Sequence, residues 1–364
     1  MSYPRTTYTG AREEASLDTP KTPSAAAGRL ASIDHLRGYA IFGMLLVNSK
    51  GLFGVEIDQL KHHRDYFTYA DTIAPLFVFV VGMTMRLAWL RNSERLGAKP
   101  ARAALFRRFG LMALIAFAVY AGWLWDALMD IGLAGLLALP LIGKRPRVRI
   151  AAAFGMVAIY QAVAMLTIYG PWITRTVKLD ESNMPLWIRL IPLRDALFDV
   201  PINGGPLGPL SWCMMLLLGT VAYDWLTQGS ARRFALACMG WGSALCAAGY
   251  ALSAAWPGAK PVWPISAYYM TAPFPLWATG LCLWHLLAFY VLCDRLGLRI
   301  PTFTEVGMNP LVIYIAQLLV LDVAEGFDPL QLPLAAGLAG MVLLYGVFAA
   351  LAYYLKRRNV LIRI

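Results

Sequence analysis

Residues 34–82 decide the fold, and they read DHLRGYAIFGMLLVNSKGLFGVEIDQLKHHRDYFTYADTIAPLFVFVVG. A short charged entry leads into an apolar run, then into a polar loop with two histidines, then into a second apolar run. Apolar runs of about 20 residues are long enough to cross a bilayer as helices, so this stretch predicts two antiparallel spans. Polar groups kept near lipid are costly and are usually functional.

The same pattern continues along the chain. The protein has 364 residues, of which 59% are hydrophobic and 15% charged, with a mean hydropathy of +0.57. A soluble domain of that size needs more charge to cover its surface. We therefore predict an all-α polytopic membrane protein with about ten transmembrane helices in a lipid bilayer. The predicted spans are 33–50, 69–90, 108–126, 129–143, 149–170, 207–227, 233–256, 267–293, 304–324 and 332–355.

The basic residues predict the orientation of these spans. If the N-terminus is cytoplasmic, 24 of the 32 Lys and Arg residues lie on the cytoplasmic side, and every short loop follows the positive-inside bias. Both termini are then cytoplasmic, and the loop with His62 and His63 is extracytoplasmic. The net charge of +11 is explained by topology, so we expect no nucleic-acid partner.

The chain divides into two parts. Residues 1–30 are polar and lack an apolar core, which indicates a disordered cytoplasmic tail. Residues 31–364 form one transmembrane domain with a long extracytoplasmic loop at 171–206. Five cysteines fall in apolar segments without C-x-x-C spacing, so we expect buried side chains, no disulfide framework and no metal site. Motifs of soluble enzymes, such as G-x-S-x-G, the P-loop and H-E-x-x-H, do not occur.

The polar loop and its borders hold the candidate catalytic residues. His63 is the predicted base, since imidazole takes up a proton near neutral pH or carries an acyl group itself; the alternative is a solvated loop histidine. His62 is expected to be a surface or supporting residue. Asn48, at the end of the first span, either stabilises an oxyanion or caps its helix. Asp71 either caps the second span or partners the histidine.

Other polar residues allow different interpretations of the function. Asp34 and Arg37 lie at the inner end of the first span, where they pair or bind a phosphate. His285 lies inside an apolar run and is an alternative base. A transporter is the other class of function, with a polar path formed by His63, His285, Glu305 and Asp322.

Several motifs carry a resemblance to a known family. Asp34-x-x-Arg37-Gly38 resembles the first helix of a superfamily of transmembrane acyltransferases. In its acyltransferase-3 branch a histidine follows the arginine after ten residues, whereas this chain has Asn48. An asparagine there, with the histidine in the next loop, resembles the heparan-α-glucosaminide N-acetyltransferase family and its bacterial relatives.

The second block supports that resemblance, which runs from about residue 29 to about 355. Residues 63–82 are similar to the family's His-x-x-Trp…Thr-x-x-Asp-x-x-x-Pro-x-Phe-x-Phe-x-x-Gly, with Tyr66 in place of the Trp. The His-x-x-aromatic spacing favours His63 over His62 as the family's histidine. Weaker blocks are Pro264-Ile265-Ser266 and Gly307-Met308-Asn309 with Tyr314.

The resemblance implies a transmembrane acyltransferase in the bacterial inner membrane. It would move an acyl group from cytosolic acetyl-CoA, or another acyl-CoA, to an extracytoplasmic acceptor such as an amino sugar or glycan. His63 would be the base, with Asn48 and Asp71 supporting it, while Arg37 and Asp34 would contact the CoA. Direct transfer and an acyl-histidine intermediate both remain open, as does the oligomeric state, a homodimer included.

Overall fold

The chain folds as a bundle of helices. The computed structural model of the protein describes residues 30–119, 124–179, 183–184, 186–190, 198, 202–253, 263–326, 330 and 332–360. Within these ranges all regular elements are helical, so the all-α class is confirmed. The predicted tail lies outside the described residues except for Leu30, and the predicted loop at 171–206 is described only in part.

Ten helices of twelve residues or more overlap the ten predicted spans. They are α1 Ala31–Ser49, α2 Ala70–Leu96, α3 Ala98–Val119, α4 Ala127–Ala138, α5 Pro146–Leu166, α6 Gly208–Gln228, α7 Ala231–Ser253, α8 Pro273–Phe289, α9 Pro310–Glu325 and α10 Leu334–Arg357. Shorter pieces are Asp58–Leu60, Tyr169–Ile173, Leu186–Arg189, Gly205–Leu207, the π-helical Tyr290–Arg295 and Pro301–Val306.

Six of these helices in the described part of the chain are long and apolar enough to cross a membrane. They are α2, α5, α6, α7, α8 with its π-helical extension, and α10. Helices α4 and α9 are apolar but shorter, while α1 and α3 carry charged residues in their first halves. The protein is thus a membrane protein, and the total of about ten spans and the orientation of the termini remain predictions.

Helices α2 and α6 form the centre of the bundle. The most apolar window of α6 is 83% buried and that of α2 is 72% buried, against 22% for α7 and 28% for α5 and α10. Gly82 allows this contact, because a Cβ there would lie 2.0 Å from the Leu216 carbonyl oxygen. Small residues let backbones approach closely, which is the usual way helices associate in lipid. The more exposed α5, α7 and α10 therefore form the lipid-facing periphery.

Polar contacts gather at the two ends of α1. At one end, termed the His62 end, the loop at 50–69 meets the segment at 263–272 through Ser266 Oγ and the His63 carbonyl oxygen, 3.5 Å apart. At the other end, termed the Arg37 end, Ala31 donates its N–H to Asp294 Oδ1 at 3.0 Å. His35 Nε2 there accepts the Ile300 N–H at 2.9 Å. The chain therefore presents two separate polar regions joined by one helix.

Candidate active site

A histidine and a buried carboxylate meet at the His62 end. His62 Nδ1 lies 2.6 Å from Asp71 Oδ1. The Asp71 side chain is fully buried, whereas the His62 side chain is 41% exposed. An ionised carboxylate only accepts hydrogen bonds, so Nδ1 carries the proton and Nε2 is the basic nitrogen. The pair thus joins a buried carboxylate to an imidazole that is accessible from solvent.

Asp71 is held by the first turn of α2. Thr68 donates its backbone N–H to Asp71 Oδ2 at 3.0 Å, and the Asp71 N–H donates to the Thr68 carbonyl at 3.1 Å. The Thr68 hydroxyl also donates to the Lys61 carbonyl at 2.7 Å, which ties the histidine loop to the helix start. One carboxylate oxygen thus accepts from the residue that precedes the helix, and the other lies against His62.

His63 has a different partner. Its Nε2 lies 3.0 Å from Asp58 Oδ1, on a side chain that is 60% exposed. Its ring stacks on Tyr66, with centroids 4.2 Å apart and planes 16° apart. In the structure Asp71 thus contacts His62, whereas the sequence-based expectation is that it orients His63. Spacing alone does not tell which of two adjacent histidines contacts the carboxylate.

Asn48 lies in the last turn of α1, near the start of the same loop. Its side chain is exposed and makes no hydrogen bond to the described residues. The neighbouring Lys50 instead donates its Nζ to the Val47 carbonyl at 3.1 Å. The Asn48 amide is thus not a helix cap and is available to a ligand.

Glu56 and Lys61 of the loop at 50–69 shift each other's pKa. The pKa of Glu56 is lowered by its hydrogen bond to Lys61, and that same bond raises the pKa of Lys61.

Arg37 and Asp34 lie at the opposite end of α1. Arg37 Nη2 and Asp34 Oδ1 are 3.1 Å apart, which confirms their expected pairing. Eleven residues separate Arg37 from Asn48, or about 16 Å along a helix at 1.5 Å per residue. The candidate catalytic and cofactor-binding residues therefore do not form one cluster; they lie at the two ends of one helix.

A buried ion cluster escaped the sequence analysis. Asp224 of α6 accepts Arg86 Nε at 2.8 Å and also pairs with Arg149, whose Nη1 donates to Thr220 Oγ1 at 2.7 Å. Arg86 further donates to the Ile142 carbonyl at 2.7 Å. Both arginines are among the 24 basic residues that the positive-inside count places on the cytoplasmic side. The sequence does contain one signal for this cluster. Asp224 is an isolated acidic residue in an apolar run, and such a residue usually pairs with another polar group inside the bundle.

Two polar groups of α4 were also missed. Tyr314 of α9 donates its hydroxyl to Asp126 Oδ2 at 3.3 Å, which joins positions 188 residues apart. One turn further, Asp130 is fully buried, and neither of its carboxylate oxygens has a hydrogen-bond partner among the described residues.

His285 is satisfied within its own helix. Its Nδ1 lies 2.8 Å from the Leu281 carbonyl, and its ring lies 6.1 Å from that of Tyr39. It contacts neither His62 nor Asp71. A structural role in α8 accounts for it better than a role as the base.

Comparison with known proteins identifies relatives. The family described as "Heparan-alpha-glucosaminide N-acetyltransferase, catalytic" matches residues 29–252, which include α1 to α6, all but the last residue of α7, and the His62–Asp71 pair. An "Uncharacterized 39.9 kDa protein in amylase 3'region" of Bacillus acidopullulyticus is 28% identical over 124 residues, covering 32% of this chain and 35% of the relative. The chain thus spans about a third of that relative's length.

Proposed function

Because the chain belongs to the heparan-alpha-glucosaminide N-acetyltransferase catalytic family, we propose that it transfers an acetyl group from acetyl-CoA to an acceptor at the His62 end. The observation that carries this proposal is the contact between His62 and the buried Asp71. A carboxylate that fixes the tautomer of an accessible imidazole is the usual arrangement for a general base.

In this mechanism His62 Nε2 removes a proton from the acceptor's amine or hydroxyl as that atom attacks the thioester carbonyl. The Asp71 carboxylate stabilises the imidazolium that forms. The amide of Asn48 donates to the developing oxyanion. The tetrahedral intermediate then expels the CoA thiolate, and the imidazolium returns its proton to the sulfur. No acyl-histidine is needed for this direct transfer.

The geometry favours His62 over His63 as the base, although the spacing of the family motif favours His63. Asp71 has no exposed side-chain surface, so its charge acts on His62 with little screening by solvent. Asp58 is largely exposed, so its effect on His63 is weak. We assign His63 to positioning the loop through its stack on Tyr66.

Acetyl-CoA would lie along the length of α1. Its phosphates are costly to bury in lipid, so the nucleotide belongs at a polar end of the bundle. The Arg37 end is the cytoplasmic one by the positive-inside bias, and its guanidinium suits a phosphate. The thioester would reach the His62 end, where the acceptor is extracytoplasmic. This arrangement fits a multi-pass protein of the bacterial inner membrane.

Two matched variants test the proposal. In purified protein in nanodiscs, with CoA release followed by a thiol reagent and glucosamine as acceptor, we expect His62→Ala to lower turnover about 100-fold or more. His63→Ala should lower it only a few-fold. The reverse order would refute the assignment of the base. Failure of acetyl-CoA to raise the melting temperature of the wild-type protein would refute acetyl-CoA as the donor.

A further inference from the structure

Asp130 is a buried acidic residue of α4 that the proposed function does not use. It has no exposed surface, and neither Oδ1 nor Oδ2 has a hydrogen-bond partner among the described residues. An ionised carboxylate is costly to remove from water, so acids inside membrane bundles pair with another charged or polar group. Asp130 therefore requires a counter-charge, unless it is held as the neutral acid.

The helices packed around Asp130 offer no basic side chain as that counter-charge. Asp130 lies beside Gly208 at the start of α6, and neither α4 nor α6 contains a lysine or an arginine. Both arginines of α5 are in its first turn, where one of them, Arg149, bonds to Thr220 in the second half of α6. The four basic residues of α3 lie in its first half. The positive charge must then come from outside the chain.

Two tyrosine hydroxyls border the turn before α6, and both donate to backbone carbonyls. The Tyr160 hydroxyl donates to the Tyr269 carbonyl oxygen at 2.6 Å. The Tyr169 hydroxyl donates to the Gly204 carbonyl oxygen. A hydroxyl has a single proton to donate, so neither tyrosine is left to hydrogen-bond the Asp130 carboxylate.

The turn before α6 also brings a carbonyl oxygen close to Asp130. A Cβ on Gly208 would lie 3.7 Å from Asp130 Oδ1 and 2.1 Å from the Asn203 carbonyl oxygen, so glycine keeps this space open. The Asn203 oxygen accepts Trp212 Nε1 at 3.4 Å and, like any carbonyl oxygen, has a second lone pair. A carboxylate and a carbonyl oxygen thus flank the same α-carbon.

We propose that the Asp130 carboxylate and the Asn203 carbonyl oxygen bind a sodium ion that joins α4 to the start of α6. Hard cations take oxygen ligands, and irregular backbone beside membrane helices supplies carbonyl oxygens for Na⁺. One carboxylate neutralises one positive charge, which suits a monovalent ion. No group of three His, Cys, Asp or Glu side chains occurs in the described ranges, so the donor set is not that of a transition metal. The inference is independent of acetyl transfer.

Thermal unfolding of the purified full-length protein in detergent tests the site. Choline chloride is replaced stepwise by NaCl at constant ionic strength. We expect a saturable rise in the melting temperature of the wild-type protein of about 3 °C or more, because the ion binds the folded state alone. Asp130→Asn keeps the shape of the side chain without its charge and should abolish the rise. Asp322→Asn, which changes an exposed acid of α9, should retain it.

Binding of radioactive Na⁺ to the wild-type protein measures the site directly and does not depend on whether Asp130→Asn folds. We expect one class of saturable site, from which unlabelled NaCl but not choline chloride displaces the label. Wild-type protein that shows neither binding nor a rise in melting temperature would make Asp130 a neutral acid and overturn the proposal. A rise that persists in Asp130→Asn, or that Asp322→Asn also abolishes, would place the effect of sodium elsewhere and overturn it too.

Discussion

Substitution of Asp71 by Asn tests which of the two adjacent histidines, His62 or His63, is the base. The amide still accepts the Thr68 N–H, so the first turn of α2 is kept, but the negative charge 2.6 Å from His62 Nδ1 is lost. A hydrogen bond to a charged group contributes about 1.5–3 kcal/mol. At 1.36 kcal/mol for each factor of ten, this predicts a fall in kcat of about 10- to 100-fold. The KM for acetyl-CoA should stay unchanged, because the contact stabilises the imidazolium of the transition state.

The matched variant is Asp58→Asn, which removes the same charge next to His63. Since the Asp58 side chain is 60% exposed, its contact is screened by solvent, and kcat should change less than about three-fold. Initial rates of CoA release at saturating acceptor measure both variants, and melting temperatures show that each one folds. A larger loss in Asp58→Asn than in Asp71→Asn would refute the reasoning and make His63 the base.

Two further predictions concern the centre of the bundle. Gly82→Ala should destabilise the protein by about 1–3 kcal/mol, since its Cβ meets the backbone of α6, whereas Gly110→Ala, with nothing within 4 Å, should be neutral or slightly stabilising. Asp224→Asn leaves Arg86 and Arg149 buried without their carboxylate and should cost about 3–5 kcal/mol. Thermal unfolding in detergent measures both effects, and equal melting temperatures for the two glycine variants would contradict the close contact of α2 with α6.

The sequence predicts the helices well because apolar length is a strong signal in a membrane protein. All ten predicted segments overlap a helix of twelve residues or more. The charge pattern predicts the location of side chains less well, because a count of Lys and Arg does not distinguish a residue in a loop from a residue in a buried ion pair. The positive-inside count places Arg149 on the cytoplasmic side, yet its side chain is fully buried against Asp224. Together with Arg86 this cluster depends on the meeting of three helices, α2, α5 and α6, which no local sequence pattern reveals.

The candidate site shows the same limit at finer scale. The Thr68-x-x-Asp71 spacing correctly indicates a turn with a carboxylate at a helix start. The sequence also places a histidine within reach of that carboxylate. Which histidine is in contact depends on the path of an irregular loop, where neither helical nor strand periodicity fixes the direction of a side chain. The choice between His62 and His63 therefore needed coordinates.

The arrangement of polar groups also separates acyl transfer from transport. A translocation path needs polar side chains that line it continuously through the bundle. The candidates for such a path are His63, His285, Glu305 and Asp322. His63 lies 3.0 Å from Asp58, His285 bonds within its own helix, Glu305 pairs with Lys356 at 3.1 Å, and Asp322 is exposed. None of these contacts joins one of the four candidates to another. Acyl transfer does not require a continuous polar path. It requires one polar region that binds the donor, another that contains the base, and a helix that connects the two. The proposed donor site at Arg37 and the proposed base at the His62–Asp71 pair, with α1 between them, would meet that requirement.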